Sequence, residues 1–356
     1  MKRCDADMLG LFPSLAADTV GGVQASGRIA WEGVTQDPGR GHARLFTTAD
    51  LRRLGTGAKL RAAAEAMRTR WSARVVLVWH LALLKLLPFF RISDGRVVVF
   101  LHGIEAWRRP DWRTRTLLRR VDLFLSNSDY TWERFVAFNP AVAGTTHRTV
   151  HLGVGEPVAG PSPPPEKPVA LMVGRLLRAE DYKGHRELIA AWPVVQARIP
   201  DAELWIAGDG DLRGSLERAA RRSAPGGRIR FWGQVTEPEK ERLLVGARCL
   251  ALPSRGEGFG LVYLEAMRVG RPCLVSSVDA GREVVAPPIA GVAADPRSPA
   301  ALADAVCRLL TPSAEWTRWS DAARRRYEAQ FTARHFQQRL LGALAEVEAP
   351  VLVGRA

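Results

Sequence analysis

The sequence predicts an α/β protein of two domains, each a parallel sheet layered with helices. Three observations carry this expectation. Short apolar runs rich in β-branched residues alternate with helix-period segments along the whole chain, the pattern of strand–helix–strand units. A proline- and glycine-rich stretch, residues 154–168, interrupts the alternation and reads as a semi-rigid linker. The length, 356 residues, exceeds a usual single domain. Two Rossmann-like halves joined in this way place a ligand in the cleft between them, at the C-terminal ends of both sheets.

In the first domain, residues 1–153, strands are expected at 9–13, 43–46, 74–79, 97–101, 123–125 and 149–152. Helices fall between them at 59–72 and 129–138, and a short apolar helix follows at 81–87. The second domain, 169–330, has strand candidates at 169–173, 204–207, 229–232, 249–252 and 272–275. Its helices are expected at 184–199, 212–222, 237–245, 261–269 and 299–310, the fourth ended by Gly270. Helices at 314–330 and 333–348 finish the chain.

A hydrophobic content of 47% is ample for two packed cores and speaks against disorder. Cys4, Cys249, Cys273 and Cys307 are widely spaced, which suits small core residues in a reducing compartment and neither a disulfide framework nor a zinc site. No signal peptide is visible, since Lys2 and Arg3 are followed by Asp5 and Asp7 and by no apolar core. The best membrane-span candidate, 75–90, is broken by His80, Lys85 and Pro88. A cytoplasmic protein is expected. Charge is lopsided: residues 1–153 hold 23 Lys/Arg against 13 Asp/Glu, a net of +10 of the chain's +14. A basic first half seeks an anionic surface or substrate.

The most informative stretch is Pro253-Ser254-Arg255-Gly256-Glu257-Gly258-Phe259-Gly260-Leu261-Val262-Tyr263-Leu264-Glu265. Glu257 sits on a strand-to-helix loop, and Glu265 lies inside the helix that the loop opens. Glycines 256, 258 and 260 leave backbone N–H groups free to approach an anion, at a helix N-terminus whose dipole favours negative charge. Carboxylates accept hydrogen bonds from sugar and ribose hydroxyls, and amides receive a diphosphate, so the pattern suits a sugar nucleotide. This segment resembles the Glu-x7-Glu signature of the family-4 retaining glycosyltransferases, of group 1 type, which have the GT-B fold. The resemblance covers about residues 9–348 and is strongest from 169 to 285. It implies that the terminal segment, 331–356, returns as a helix to the first domain.

Within the second domain, Gly174-Arg175-Leu176 ends the first strand, and Lys183-Gly184-His185 follows. Arg175 can bind two oxygens at once and Lys183 adds a point charge, a natural diphosphate clamp. The family carries such residues at often shorter spacing, so Ala179-Glu180-Asp181-Tyr182 stands as an insertion. In Asp209-Gly210-Asp211 the turn reading outweighs a metal site, with Asp211 placed to cap the helix from Leu212. Phe231-Trp232-Gly233-Gln234 matches a family pattern in which the backbone after the glycine lies against the base, so Gly233 and Gln234 join the donor-binding set. Asp279-Ala280-Gly281-Arg282-Glu283 resembles the family's later Gly-Glu element. The resemblance assigns Glu257 to the donor sugar hydroxyls and Glu265 to the ribose. Gly258, Phe259 and Gly260 fall to the diphosphate.

In the first domain, Gly21 and Gly22 follow the first strand and resemble the family's loop over the donor phosphate. His102-Gly103 after the fourth strand candidate resembles the acceptor-side motif, where an imidazole donates to a sugar oxygen or to developing charge. Glu105 is a candidate to reach the acceptor, and Ser128 or Asp129 reads mainly as a helix cap. The catalytic set expected is His102, Arg175, Lys183 and Glu257. No cofactor and no metal are expected beyond the nucleotide-sugar co-substrate.

Between 106 and 120 lie Arg108, Arg109, Arg113, Arg115, Arg119 and Arg120, with Trp107 and Trp112 among them. Such a helix suits an anionic membrane surface, and a plain solvated basic helix is the other reading. Nucleic acid is not expected as a partner. The expected acceptor is a lipid-linked sugar or glycolipid at the inner membrane face, in polysaccharide or cell-envelope synthesis. Two alternatives remain open: a GT-B sugar-nucleotide epimerase, and a non-catalytic basic binding protein.

Overall fold

The structure, a computed structural model, describes residues 3–16, 21–39, 41–47, 70–92, 95–158, 160 and 163–348. The chain divides into two compact units. One comprises residues 1–154 with 333–356, the other residues 155–332.

The first unit is built on a seven-stranded sheet. Its strands are β1 (Arg3–Phe12), β2 (Ala43–Thr47), β3 (Arg70–Val78), β4 (Arg91–Ile92), β5 (Arg96–Leu101), β6 (Leu123–Ser126) and β7 (Thr146–Thr149). They run parallel in the order β2-β1-β3-β5-β6-β7, with β4 added beside β3. Val76, Val78, Val97, Val99 and Phe124 supply the core under a 3-10 helix, Leu81–Phe89, whose Leu84 and Leu87 are buried. Helices α1 (Gly22–Gln36), α2 (Trp112–Leu118) and α3 (Asp129–Phe138) follow β1, β5 and β6.

The second unit is built on six parallel strands: β8 (Val169–Val173), β9 (Glu203–Ala207), β10 (Ile229–Gly233), β11 (Cys249–Leu252), β12 (Cys273–Ser276) and β13 (Gly291–Ala294). Helices α4 (His185–Arg198), α5 (Arg213–Ser223), α6 (Glu237–Gly246), α7 (Leu261–Arg268), α8 (Gly281–Val285), α9 (Pro299–Leu310) and α10 (Ala314–Gln330) surround it. The central strands are buried at every residue of β11 and β12, which is why they read as unbroken apolar runs. Helix α11 (Ala333–Glu348) belongs to the first unit and packs on α1. There Gln337 Nε2 donates to the carbonyl of Ile29 at 3.0 Å. Gly33 makes room for it, since a Cβ at that position would lie 2.7 Å from Gln337 Cγ.

Several expectations are corrected. The strand expected at 149–152 lies at Thr146–Thr149, on the sheet edge, where Thr-His-Arg-Thr has no apolar signal. The apolar Val150 and Leu152 are buried beyond the strand's end. The helix expected at 59–72 ends wrongly, because 70–72 pair with β1 as strand; residues 59–69 lie outside the described residues. Strand β1 starts well before residue 9 because that pairing carries it through polar sequence. Strand β13 had no separate expectation. The basic helix of 106–120 is only Trp112–Leu118, started by Asp111, whose Oδ1 accepts from Thr114 N at 3.0 Å. Trp107 is a core residue, 8% exposed and edge-on to Tyr130, so Trp112 is the solvent-facing one of the pair at 65%.

Arginines tie the proline-rich stretch to the second unit. Arg268 Nε donates to Glu156 O at 2.7 Å, Arg271 Nη1 to Pro163 O at 3.1 Å, and Arg248 Nε to Pro165 O at 2.8 Å. These bonds fasten the described parts of the stretch to the segments that carry the three arginines.

Candidate active site

In the second unit the strand order β10-β9-β8-β11-β12-β13 reverses direction between β8 and β11. At such a switch point the loops after the two strands diverge and leave a crevice at the carboxyl ends. Arg175 and Lys183 follow β8, and Glu257 follows β11. Lys183 Nζ lies 3.9 Å from Glu257 Oε2 and 3.5 Å from Glu180 Oε2. Arg175 Nη2 bonds the other oxygen of Glu180. Arg175 reaches into solvent with a side chain 56% exposed, while the side chains of Lys183, Glu180 and Glu257 are 16%, 11% and 19% exposed. Three expected residues thus come together, with a fourth, Glu180, that the sequence reading treated only as part of an insertion.

Glycine brings the two loops into contact. Gly184 has φ +85°, and a Cβ there would sit 2.3 Å from the carbonyl oxygen of Pro253. The Glu257 loop is braced from beneath by Asp279, which accepts from Glu257 N at 3.0 Å and from Gly281 N at 3.1 Å. Burial, with repulsion from Glu257, pushes the Asp279 carboxyl up to about 7 against those hydrogen bonds. Gly260 begins α7 at φ +86°, with no side-chain cap. Phe259 is 2% exposed and packs edge-on to Phe331, so its side chain belongs to the core.

Glu265 projects from α7 to Lys240 of α6, Nζ to Oε1 being 2.9 Å. Burial raises its pKa, and Lys240 opposes the rise. Gly233 takes φ +69° and its carbonyl accepts from Gly208 N at 2.8 Å, while Gln234 beside it is exposed. Asp211 does not cap α5, which lacks a side-chain cap; its Oδ1 accepts from Arg178 N at 2.8 Å and steadies the β8 loop. Asp209 turns instead to Arg213, 2.9 Å away. Among the described residues no group of His, Cys, Asp and Glu is arranged to hold a metal ion. Arg326 bonds the carbonyls of Glu283 and Val284 at 2.8 and 2.7 Å, anchoring α8.

In the first unit the strand order switches between β1 and β3. Gly21, at φ +152°, precedes α1, and Gly22 opens it. Thr19 and Val20 lie outside the described residues. Trp79, after β3, donates from Nε1 to Val23 O at 3.0 Å. His102, after β5, sits among Trp79, Phe100 and His80. Its Nε2 lies 2.6 Å from Trp79 O. A carbonyl only accepts, so Nε2 carries the proton. Burial pulls its pKa down to about 4, so the ring is neutral at pH 7 and Nδ1 is an acceptor. The N–H expected to serve a substrate is thus committed to Trp79 O. Glu105 is occupied locally: Oε1 accepts from His102 N at 2.7 Å and Gly103 N at 3.1 Å. Ser128 caps α3 through Thr131 N at 3.0 Å.

Sequence reasoning missed Glu180, Lys240 and Asp279. Asp279 had a signal in its place two residues before Gly281, an Asx-turn position. Lys240 had none, since it lies 25 residues from its partner.

These two parallel sheets, each with a switch point, define an α/β fold of the GT-B class. The family described as Glycosyl transferases group 1 matches residues 167–312. Glycogen synthase of Mycobacterium tuberculosis is 31% identical over 311 residues, covering 82% of this chain and 70% of that protein. A GDP-mannose-dependent alpha-(1-6)-phosphatidylinositol monomannoside mannosyltransferase of the same organism is 29% identical over 249 residues, covering 63% of each. The chain belongs to the group 1 glycosyltransferases and is a glycosyltransferase enzyme. Among solved structures, sucrose-phosphate synthase from Thermosynechococcus elongatus superposes with a TM-score of 0.74 at 21% identity, covering 96% of this chain and 98% of that one. Anabaena HepE, solved with UDP and glucose, gives 0.71 at 18% identity, covering 96% and 99%. At such identities these likenesses establish the fold alone. No helix among the described residues is long and apolar enough to cross a membrane.

Proposed function

We propose that this glycosyltransferase moves a hexosyl group from a nucleoside-diphosphate sugar to a hydroxyl of a lipid-linked sugar or glycolipid, with retention of configuration. The observation that carries the reading is the gathering of Arg175, Lys183 and Glu257 at the switch point between β8 and β11. In this reaction the bond from the sugar C1 to the phosphate oxygen breaks, and the acceptor oxygen bonds C1 on the same face. The acceptor proton passes to the leaving phosphate oxygen, so no separate protein base is required. Negative charge grows on the diphosphate, and Arg175, Lys183 and the amides around Gly258 to Gly260 stabilise it. Losing one preorganised donor of this kind costs on the order of 3 kcal/mol, about 100-fold in rate.

Glu257 holds donor-sugar hydroxyls in this reading and Glu265 the ribose. Gly21, Gly22, Gly233 and Gln234 complete the donor set, and His102 accepts from a sugar hydroxyl through Nδ1. The side chains of Arg175 and Lys183 supply the positive charge that a metal would otherwise bring.

A lipid acceptor is supported by two observations. Trp112 is 65% exposed with Arg113 at 5.2 Å from its ring centroid, and Phe89 on the neighbouring 3-10 helix is 41% exposed. Aromatic side chains beside arginines suit the headgroup region of an anionic membrane. Relatives named phosphatidyl-myo-inositol mannosyltransferases point the same way.

The test incubates purified protein with GDP-mannose, UDP-glucose, UDP-galactose and UDP-GlcNAc and a bacterial membrane extract, and follows nucleoside diphosphate release. Release with one donor, dependent on the extract and lost in Glu265→Ala, is expected. Activity on water-soluble sugars alone, with no liposome binding, overturns the lipid acceptor.

A further inference from the structure

We infer that Glu180 is a built-in anion that occupies the diphosphate cations in the empty enzyme, yields them to the donor, and returns to help expel the nucleoside diphosphate. This rests on the proposed reading of Arg175 and Lys183 as the diphosphate clamp.

Glu180 stands where the clamp's own charge would otherwise be unmet. Its Oε1 accepts from Arg175 Nη2, and its Oε2 faces Lys183 Nζ at 3.5 Å. That second contact is an ion pair without a hydrogen bond, so Oε2 is a buried oxygen with no hydrogen-bond partner among the described residues. A carboxylate that served only to hold the fold would be expected to satisfy both oxygens. Here half of it is left loosely met, on a side chain only 11% exposed.

The charges balance before any ligand arrives. Arg175 and Lys183 are matched by Glu180 and by Glu257, 3.9 Å from Lys183. A diphosphate entering this group meets a neutral cluster unless one carboxylate leaves. Glu180 is the carboxylate that faces both cations, whereas Glu257 faces only Lys183. The backbone around Glu180 is pinned on both sides, by Arg178 N to Asp211 Oδ1 at 2.8 Å and by Arg255 N to Tyr182 O at 2.7 Å. Arg186 adds two bonds to Asp181, each 3.0 Å. A turn held this way lets the Glu180 side chain change rotamer while its backbone stays. The nucleoside diphosphate product carries more negative charge than the nucleotide sugar, so removing Glu180 favours retention of product above all.

The experiment titrates the full-length protein with pyrophosphate, a base-independent probe of the clamp, and with UDP, GDP and ADP. Wild type, Glu180→Gln, Arg175→Gln and Arg175→Gln/Glu180→Gln are compared by calorimetry at low and high salt. Glu180→Gln is expected to bind pyrophosphate and the accepted nucleoside diphosphate about 10-fold more tightly, with a gain that shrinks as salt rises. Measured against Arg175→Gln alone, the gain should shrink in the double variant, and product release in Glu180→Gln should slow. Equal or weaker binding by Glu180→Gln makes the residue a positioning group for the cations and overturns the inference. If neither wild type nor Glu180→Gln binds any of these probes, the donor-site reading itself fails, and this inference with it. Glu180→Ala is the second variant; if both Glu180 variants fail to fold, as judged by Tm, the residue is structural and the inference is wrong.

Discussion

Lys240 holds Glu265 at 2.9 Å, and the pair joins α6 to α7 at the carboxylate proposed for the ribose. Burial favours the neutral form of Glu265, and the ammonium counters it. Lys240→Met leaves that carboxylate half-buried without its cation. Nucleoside diphosphate affinity should then fall about 10-fold near neutral pH and recover as pH rises and the carboxylate ionises. A titration from pH 5.5 to 8.5 reads this directly. An unchanged affinity in Lys240→Met would show that the pair only ties the two helices together.

His102 ties the stability of the fold to pH. Its pKa is lowered to about 4, chiefly by burial, with Glu105 opposing. Between about 6.5 and 4 the unfolded chain binds a proton that the folded ring refuses, so stability falls as pH drops through that window. For a ring this deeply buried the loss reaches at most about 3 kcal/mol by pH 4. His185, also buried, repeats the pattern in the second unit. The profile of kcat/KM should show no inflection near 6.5 from His102. Glutamine can still donate to Trp79 but does not titrate, so His102→Gln should lose Tm less steeply below pH 6. Parallel Tm curves for the two proteins would contradict this account.

Asp279 works in the opposite sense. Its folded pKa of about 7 lies above the unfolded value near 4, so its contribution to stability is complete at low pH and is lost as pH rises towards and through 7. Asparagine in its place has one acceptor oxygen for the two amides of Glu257 and Gly281. Asp279→Asn should therefore cost about 1–3 kcal/mol by denaturant unfolding and lower kcat/KM by loosening the Glu257 loop. A Tm and kcat/KM equal to wild type would mean the loop is held by other bonds.

Gly260 tests the backbone of the turn proposed to receive the diphosphate. At φ +86° a Cβ would lie 2.4 Å from the Tyr263 ring. That ring cannot withdraw easily, being buried and tied by its hydroxyl to Leu252 O at 2.9 Å. Gly260→Ala should cost roughly 2–4 kcal/mol and remove most activity. Gly226→Ala, with nothing within 4 Å of the added carbon, is the control and should leave Tm almost unchanged. Similar losses in both would rule out the φ angle and the Tyr263 contact as the cause, since the unfolded-chain effect of Gly→Ala is stabilising.

The β-strands that carry the site were legible because they are central. Val169–Val173 and Cys249–Leu252 are buried on both faces and read as apolar runs without interruption. Edge strand β7 was misplaced because one open side lets it be Thr-His-Arg-Thr. The basic segment misled for a related reason. Trp107 and Trp112 look alike in sequence, yet only packing against Tyr130 decides that the first is core.

By itself the sequence determined the alternating α/β architecture, the family, and the glycines and charged residues of the clamp. These are set by local periodicity and by short spacings along one loop, where neighbours in sequence are neighbours in space. Tertiary structure alone decided which carboxylate meets which cation. Glu265 finds Lys240 across 25 residues, Asp279 reaches under Glu257 across 22, and Nε2 of His102 is committed to Trp79 across 23. Such partners come together only when separate strands enter one sheet, and burial there, which no local pattern reports, sets the charge each group carries.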